Sequence, residues 1–304
     1  MKTFNLIAPA SVSTLLKETA KLIPVDASWY MPNVPISAYH EYMKKRLANA
    51  VFVDIDTIKD PKSPYPHMLP TKEDFERHIS YLGINSDSNL LFYDQQGIFS
   101  ACRALWMFDL FGHKGDLNLL NTYPAYAQSN SDPNLVLKVH GASKFIDDKL
   151  VTAPTSLSPS KYEAVFDKSQ VVSYEELLEL VKSKKIDSEI TLIDARSEGR
   201  FTGADPEPRP NLPSGHVPGA INIPFNALLT PQKAFLSIMS LKNIFANKKI
   251  DPAKPIVVMC GTGVTACVVR AGLILAGYKN ISVYDGSWTE WVQRSPQELI
   301  QRDL

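Results

Sequence analysis

The run Pro255-Ile256-Val257-Val258-Met259-Cys260-Gly261-Thr262-Gly263-Val264-Thr265-Ala266-Cys267-Val268-Val269-Arg270 decides how the rest of the chain is read. Its first part is apolar and rich in Val and Ile, the pattern of a buried strand. The run stops at a cysteine, Gly261 and Gly263 follow, and an apolar helix-like stretch extends from Val264 to Leu275. A strand–loop–helix unit aims backbone N–H groups into its loop, and the helix N-terminus adds positive potential. Cys260 stands in that loop. Such surroundings favour the thiolate, the nucleophilic form of cysteine. A core thiol at a strand end is the alternative, because free cysteine is among the most buried residue types. Gly261 and Gly263 weigh against it, since they let the backbone curl and present its N–H groups. Cys260 is expected to be the reactive atom of a sulfur-handling enzyme.

Working outward, the length of 304 residues favours two domains. Lys plus Arg equals Asp plus Glu at 32 each, so no global charge points to nucleic acid or to a membrane surface. No apolar run approaches the ~18 residues of a spanning helix. Residues Met1 to Ala20 lack arginine and carry Glu18, a poor match to a transit peptide, and no secretory signal is evident. Three cysteines, Cys102, Cys260 and Cys267, cannot make a disulfide framework and suit a reducing compartment. The cytoplasm is the expected location, with a mitochondrial fraction left open.

The chain repeats itself. Ile23-Pro24-Val25-Asp26-Ala27 resembles Thr191-Leu192-Ile193-Asp194-Ala195, and Arg46 to Asp54 resembles Gly215 to Ile223. Leu90-Leu91-Phe92-Tyr93-Asp94, with Gly97, resembles Val257-Val258-Met259-Cys260, with Gly263. Phe111-Gly112-His113-Lys114 matches Ala276-Gly277-Tyr278-Lys279, and Leu120 to Tyr126 matches Asp285 to Trp291. The order is kept at a nearly constant offset, which is the signature of two copies of one domain.

In the second copy, Ser173 and Glu176 form a capping-box signature ahead of an amphipathic helix over Tyr174 to Val181. Strands are expected at Ile190–Asp194, Ala220–Ile223 and Ile281–Tyr284, helical material from Phe235 to Phe245, and a last helix from Trp288. Alternating strands and helices imply an α/β fold with parallel pairing and helices on both faces. Ligands bind at the carboxyl ends of such strands. The division expected is a non-catalytic domain over 1–145, a linker over 146–169 rich in Pro, Ser and Thr that wraps across the first domain, and a catalytic domain over 170–304.

A second stretch bears on the chemistry. Asp194-Ala195-Arg196-Ser197-Glu198-Gly199-Arg200 places Arg196 and Arg200 four apart on the loop after a strand, at the same edge as Cys260. Two guanidinium forks there could clamp a small carboxylate. The alternative is a salt bridge or a solvated face. Arg209 and His216 are weaker candidates, and Cys102 and Cys267 read as core thiols.

Together the run Asp194 to Ala220, the loop Cys260 to Ala266, Asp285-Gly286-Ser287-Trp288 and the segment Ser63-Pro64-Tyr65-Pro66-His67-Met68-Leu69-Pro70 resemble tandem-rhodanese sulfurtransferases over essentially the whole chain. The resemblance implies two tandem rhodanese-like domains, each a mostly parallel sheet flanked by helices. It implies that Cys260 takes up sulfur as a persulfide and passes it to an acceptor, with loop N–H groups of Gly261, Gly263, Val264 and Thr265 around it. The first copy has Asp94 where the cysteine would be, so it is expected to be structural. Gly261-Thr262 resembles the 3-mercaptopyruvate branch; the thiosulfate branch follows its cysteine with two basic residues. That branch also implies a relay, carried over here onto Thr262, His67 and Asp56, with threonine in place of serine. No metal or organic cofactor is implied. The implied partners are a small-molecule sulfur donor and a thiol acceptor or sulfur-carrier protein, with tRNA thiolation as one implied use of the sulfur and with no direct nucleic-acid or membrane contact. The competing readings are a thiosulfate:cyanide sulfurtransferase and a non-enzymatic sulfur-relay platform. A dual-specificity phosphatase needs an arginine six residues after its cysteine; here that residue is Ala266.

Overall fold

Val, Ile and Leu dominate the runs that become strands, and their near-continuous apolar character fits strands covered on both faces. The computed structural model describes residues 3–19, 21–128, 135–137, 142–146, 149–153 and 158–303. Two five-stranded parallel sheets organise it. The first runs, edge to edge, Asn5–Ile7, Leu117–Leu120, Asn89–Tyr93, Leu22–Asp26 and Val51–Phe52. The second runs Val171–Val172, Ile281–Tyr284, Ile256–Met259, Thr191–Asp194 and Ile221–Asn222. The spatial order is the same in both, so the internal repeat is structural.

The registers fix the correspondence between copies. Asp26 lies opposite Tyr93 and Phe52, while Asp194 lies opposite Met259 and Asn222. Phe52 therefore corresponds to Asn222, whereas comparison of the sequences aligned it with Ile221. Both edge strands are only two residues long, too short to carry a pattern that fixes their register.

Local signals place the helices. Helix Tyr174–Lys182 starts at a complete capping box, with the Glu176 N–H on Ser173 Oγ and the Ser173 N–H on Glu176 Oε2. The helix expected from Phe235 begins at Ile238, because Ser237 Oγ accepts from the Ser240 N–H and stops the helix there. Phe235 instead bridges to Leu229. Two short antiparallel pairs lie outside the main sheets: Lys45–Leu47 with Leu135–Leu137, and Ala142–Ile146 with Lys149–Ala153. The latter strand falls within the stretch expected as linker, of which residues 147–148 and 154–157 lie outside the described residues. From Ser160 the chain runs along the first unit: the Ser160 N–H donates to Ser80 O, Tyr162 Oη meets His113 Nδ1, and the Val165 N–H donates to Phe111 O.

The helices Ala101–Leu110 and Ala266–Leu275 pack against each other at the centre. All of the first and Ala266 to Leu273 of the second are buried, which explains their apolar character on every side. Their two arginines tie the units together. Arg103 Nη1 donates to Asp285 Oδ1 at 2.6 Å, and Arg270 Nη2 donates to Asp109 Oδ2 at 2.7 Å and to Gln170 Oε1 at 2.5 Å. Both side chains of the first cluster and all three of the second are buried. Removing one member of such a pair costs about 3–5 kcal/mol, because it strands the other charge out of water.

Candidate active site

Cys260 follows directly on the central strand Ile256–Met259 of the second sheet. Its own N–H donates to Ser287 Oγ, its carbonyl accepts from the Trp288 N–H, and the Gly261 carbonyl accepts from the Thr289 N–H. These bonds pin the base of the loop. Gly263 has φ +74°, and a Cβ there would come within 2.8 Å of both Arg103 Nη1 and Asp285 O, so only glycine fits. Helix Ala266–Leu275 then begins. Among the described residues, no acceptor takes the backbone N–H groups of Gly261, Thr262, Gly263, Val264 or Thr265. Five unsatisfied donors before a helix N-terminus make a site for an anion. Val264 also packs with Trp29 and Ile55 across the unit boundary.

The first unit shows what such a loop holds. Asp94 follows strand Asn89–Tyr93 at the position equivalent to Cys260. Its Oδ1 accepts from the Gln96 N–H at 3.0 Å, and its Oδ2 from the N–H groups of Phe99 and Ala101 at 3.1 and 3.0 Å. The same fold, with a carboxylate for the thiol, thus closes its N–H groups on oxygen. Burial pushes the Asp94 carboxyl up to about 7, with those hydrogen bonds pulling the other way. The first unit has filled its anion site with its own side chain. In the second unit the equivalent donors find no acceptor among the described residues.

The arginines divide differently from expectation. Arg196 is 1% exposed. Its Nε and Nη2 hold both oxygens of Asp194, Nη2 also reaches Gly215 O at 2.6 Å, and Nη1 reaches Glu207 Oε1 at 2.8 Å. The guanidinium lies 4.3 Å from the Trp288 ring centre. With most of its donors committed to Asp194, Gly215 and Glu207, Arg196 braces the loop, and it also lines the cavity in front of Cys260. Arg200 is freer: Nε and Nη2 bind Glu207 at 3.1 and 2.5 Å, and no described residue takes Nη1. Arg209, half-buried, has neither a hydrogen bond nor an ion pair among the described residues. Burial lowers its pKa, opposed by the charges of Asp56 and Cys260. Arg200 and Arg209 both line the cavity in front of Cys260.

Thr262, His67 and Asp56 come together across the unit boundary. His67 Nε2 lies 2.9 Å from Asp56 Oδ1, and His67 Nδ1 lies 3.0 Å from Thr262 Oγ1. A carboxylate beside Nε2 fixes the ring proton there, which leaves Nδ1 to accept from the Thr262 hydroxyl. Asp56 is held at its other oxygen by Trp29 Nε1 at 2.8 Å. Burial raises the Asp56 pKa, but the bonds from His67 and Trp29 outweigh it, and the net direction is down. Burial lowers the His67 pKa and Asp56 opposes it, with the net direction again down. His67 sits at φ +62°, and its carbonyl accepts from Arg103 Nη2. The Arg103–Asp285 pair therefore anchors the histidine and Gly263 O together.

The cavity measures about 240 Å³ and is bounded by Trp29, Phe99, Arg200, Arg209, Phe225 and Cys260, among others. Sequence reasoning passed over Glu207 and set Arg209 aside as a weak candidate. The spacing Arg200-x6-Glu207-x-Arg209 was the available signal, but a carboxylate between two arginines reads equally as a solvated charge run. Among the described residues, no group of His, Cys, Asp and Glu could hold a metal ion, and no helix is long and apolar enough to cross a membrane.

A cysteine in an N–H-lined loop, set between two units of identical topology of which only one keeps the thiol, defines a tandem-rhodanese architecture. Comparison with known proteins agrees. The Rhodanese-like domain family matches residues 173–294. Thiosulfate sulfurtransferase TUM1 of Saccharomyces cerevisiae is 37% identical over 315 residues, covering 99% of this chain and 98% of its own. The crystal structure of that Tum1 protein superposes with a TM-score of 0.88, covering 100% of this chain and 99% of the other. The 3-mercaptopyruvate sulfurtransferase of Rattus norvegicus is 35% identical, covering 97% and 92%. A sulfur transferase subunit of yeast mitochondrial complex I is 39% identical with a TM-score of 0.85, covering 99% and 100%. The chain belongs to the tandem-rhodanese sulfurtransferases.

Proposed function

We propose that this sulfurtransferase takes sulfur from 3-mercaptopyruvate onto Cys260 as a persulfide and delivers it to a thiol acceptor. The observation that carries this reading is the free N–H cradle at Cys260, whose counterpart at Asp94 is closed on a carboxylate. Arg200 and Arg209 receive the donor's carboxylate. The Cys260 thiolate attacks the donor sulfur, the sulfur–carbon bond breaks, and its electron pair leaves on carbon as the pyruvate enolate. The enolate takes a proton, for which Thr262, backed by His67 and Asp56, is the relay. The new persulfide anion rests on the N–H groups of Gly261 to Thr265 until an acceptor thiolate takes the outer sulfur. Trp29, Phe99 and Phe225 exclude water from the reacting atoms.

The donor's single negative charge matches the cleft. Asp194 and Glu207 offset two of the three guanidinium groups, Arg196, Arg200 and Arg209, and no lysine or arginine follows Cys260 in the loop. A dianion such as thiosulfate gains less there. The name of the Saccharomyces relative favours thiosulfate as a secondary donor. The acceptor we favour is a thiol or a sulfur-carrier protein, with tRNA thiolation as one use of the transferred sulfur. The location we favour is the cytoplasm with a mitochondrial fraction, the latter in accord with the names of two relatives.

The test is to mix the protein with 3-mercaptopyruvate, without acceptor, and follow pyruvate release and the mass of the Cys260 peptide. One pyruvate per chain and one added sulfur on that peptide are expected. Pyruvate release without added sulfur there, or none from 3-mercaptopyruvate, would overturn the reading.

A further inference from the structure

A second, larger cavity of about 570 Å³ adjoins the one at Cys260. Phe99 and Phe225 line both, their ring centres 5.7 Å apart, and so form the partition between them. One wall, Gln96 to Phe99, belongs to the first unit, and the other, Phe225 to Lys233, to the second. The walls are stitched by the Ile98 N–H on Lys233 O at 2.8 Å and by Thr122 Oγ1 on Gln232 O at 2.9 Å. The lining is apolar and amide-bearing with no acidic residue, and Lys233 is its cation. No described residue hydrogen-bonds or ion-pairs with the Lys233 ammonium. Gly97 has φ +104°, and a Cβ there would come within 2.7 Å of Lys233 Cβ, so the glycine lets the two walls close.

The cavity at Cys260, about 240 Å³, is less than half the size of its neighbour. A peptide-sized thiol acceptor gains room by extending into the larger cavity while its sulfur reaches the persulfide. We propose that the Phe225–Lys233 cavity is the acceptor subsite and that it takes a peptide-sized thiol bearing a carboxylate. The inference rests on the persulfide reading above. The acceptor's carboxylate pairs with Lys233 and its backbone lies against Ile98 and Leu229. The rings of Phe99 and Phe225 part to admit its thiolate to the outer sulfur on Cys260. In that step a new sulfur–sulfur bond forms to the acceptor, the Cys260 sulfur–sulfur bond breaks, and the electron pair returns to Cys260 as thiolate. No oxidant is consumed. The volume lies within the range of small-molecule sites, and the lone cation among apolar side chains supplies orientation.

The test separates the two half-reactions. The protein is loaded with 3-mercaptopyruvate, freed of excess donor, and mixed with glutathione, glutathione diethyl ester or 2-mercaptoethanol, and the loss of added sulfur from the Cys260 peptide is timed. Wild type should discharge to glutathione at least fivefold faster than to the ester at subsaturating concentration. Lys233→Glu should abolish that preference, with loading and the rate with 2-mercaptoethanol unchanged within twofold. Lys233→Gln should lie between. Lys233 is exposed and only its backbone carbonyl holds the neighbouring wall, so both variants retain the fold. Loading that fails in wild type counts against the persulfide reading itself. Normal loading with equal rates for acid and ester in wild type, or a preference that survives in Lys233→Glu, overturns the subsite alone.

Discussion

Asp94 and Cys260 occupy the same place in two copies of one fold, each the first residue beyond the central strand of its sheet. The carboxylate of one satisfies three backbone N–H groups of its loop, and the other stands in a loop whose N–H groups no described residue satisfies. The pair explains why a two-unit protein has one reactive centre. A loop that can stabilise an anion either supplies its own or keeps the place for a substrate's.

The carboxylates of the first unit set a pH dependence of stability. Burial pushes Asp94 up to about 7 and Asp26 up to about 6, while an unfolded aspartate titrates near 3.8. The native state then binds more protons than the unfolded state between those values, so stability falls as pH rises from about 4 to 7 and levels off above. His67, lowered by burial from 6.5, acts in the opposite sense, adding stability as pH rises toward 6.5. Asp26, Asp94 and Asp54, which burial also raises, together outweigh His67 and leave a net fall in the thermal midpoint between about pH 5 and 7. Asp26→Asn with Asp94→Asn should flatten that slope, and an unchanged slope would contradict these assignments.

The arginines part company under mutation. Arg209→Ala and Arg200→Ala should each raise KM for 3-mercaptopyruvate by about 10-fold or more, the loss of one charge-assisted contact to a carboxylate. Arg196→Ala should instead cost about 3–5 kcal/mol of stability by stranding Asp194 and Glu207. Equilibrium denaturation and steady-state kinetics on the three variants distinguish these outcomes.

The fold was legible in the sequence to a large degree, and the reasons are local. Apolar runs with Val and Ile marked central strands such as Ile256–Met259, and the Ser173–Glu176 box marked a helix start. The repeat then fixed the topology. The two-residue edge strands escaped because they carry too little pattern, and Phe235 was taken for helix because Ser237 is one of several possible caps. At the site, Cys260 was legible from its glycines. The roles of Arg196 and Arg209 were not, because which guanidinium is consumed by Asp194 and Glu207 depends on side-chain reach in three dimensions.

The relay across the unit boundary should follow the hydroxyl. Thr262→Ser keeps an O–H for His67 Nδ1 and should retain most of the rate; Thr262→Ala and His67→Ala should each lower kcat by about 10²-fold, the usual range for a lost proton-transfer group. Because burial lowers the His67 pKa, kcat should stay level as pH falls from 8 through 6.5 and decline only below. Rates unaffected in both alanine variants would remove the relay.

Arg103 and Asp285 hold His67, Gly263 and the unit boundary at once. Arg103→Met should destabilise by about 3–5 kcal/mol, and pairing it with Asp285→Leu should recover part of that loss by removing the stranded charge. Chemical denaturation of the single and double variants reads this directly.

The most direct test is at Cys260. Wild type exposed to 3-mercaptopyruvate without acceptor should release one pyruvate per chain and gain one sulfur on the Cys260 peptide, and Cys260→Ser should do neither. Turnover by Cys260→Ser, or sulfur found on Cys102 or Cys267 with Cys260 unmodified, would contradict the assignment.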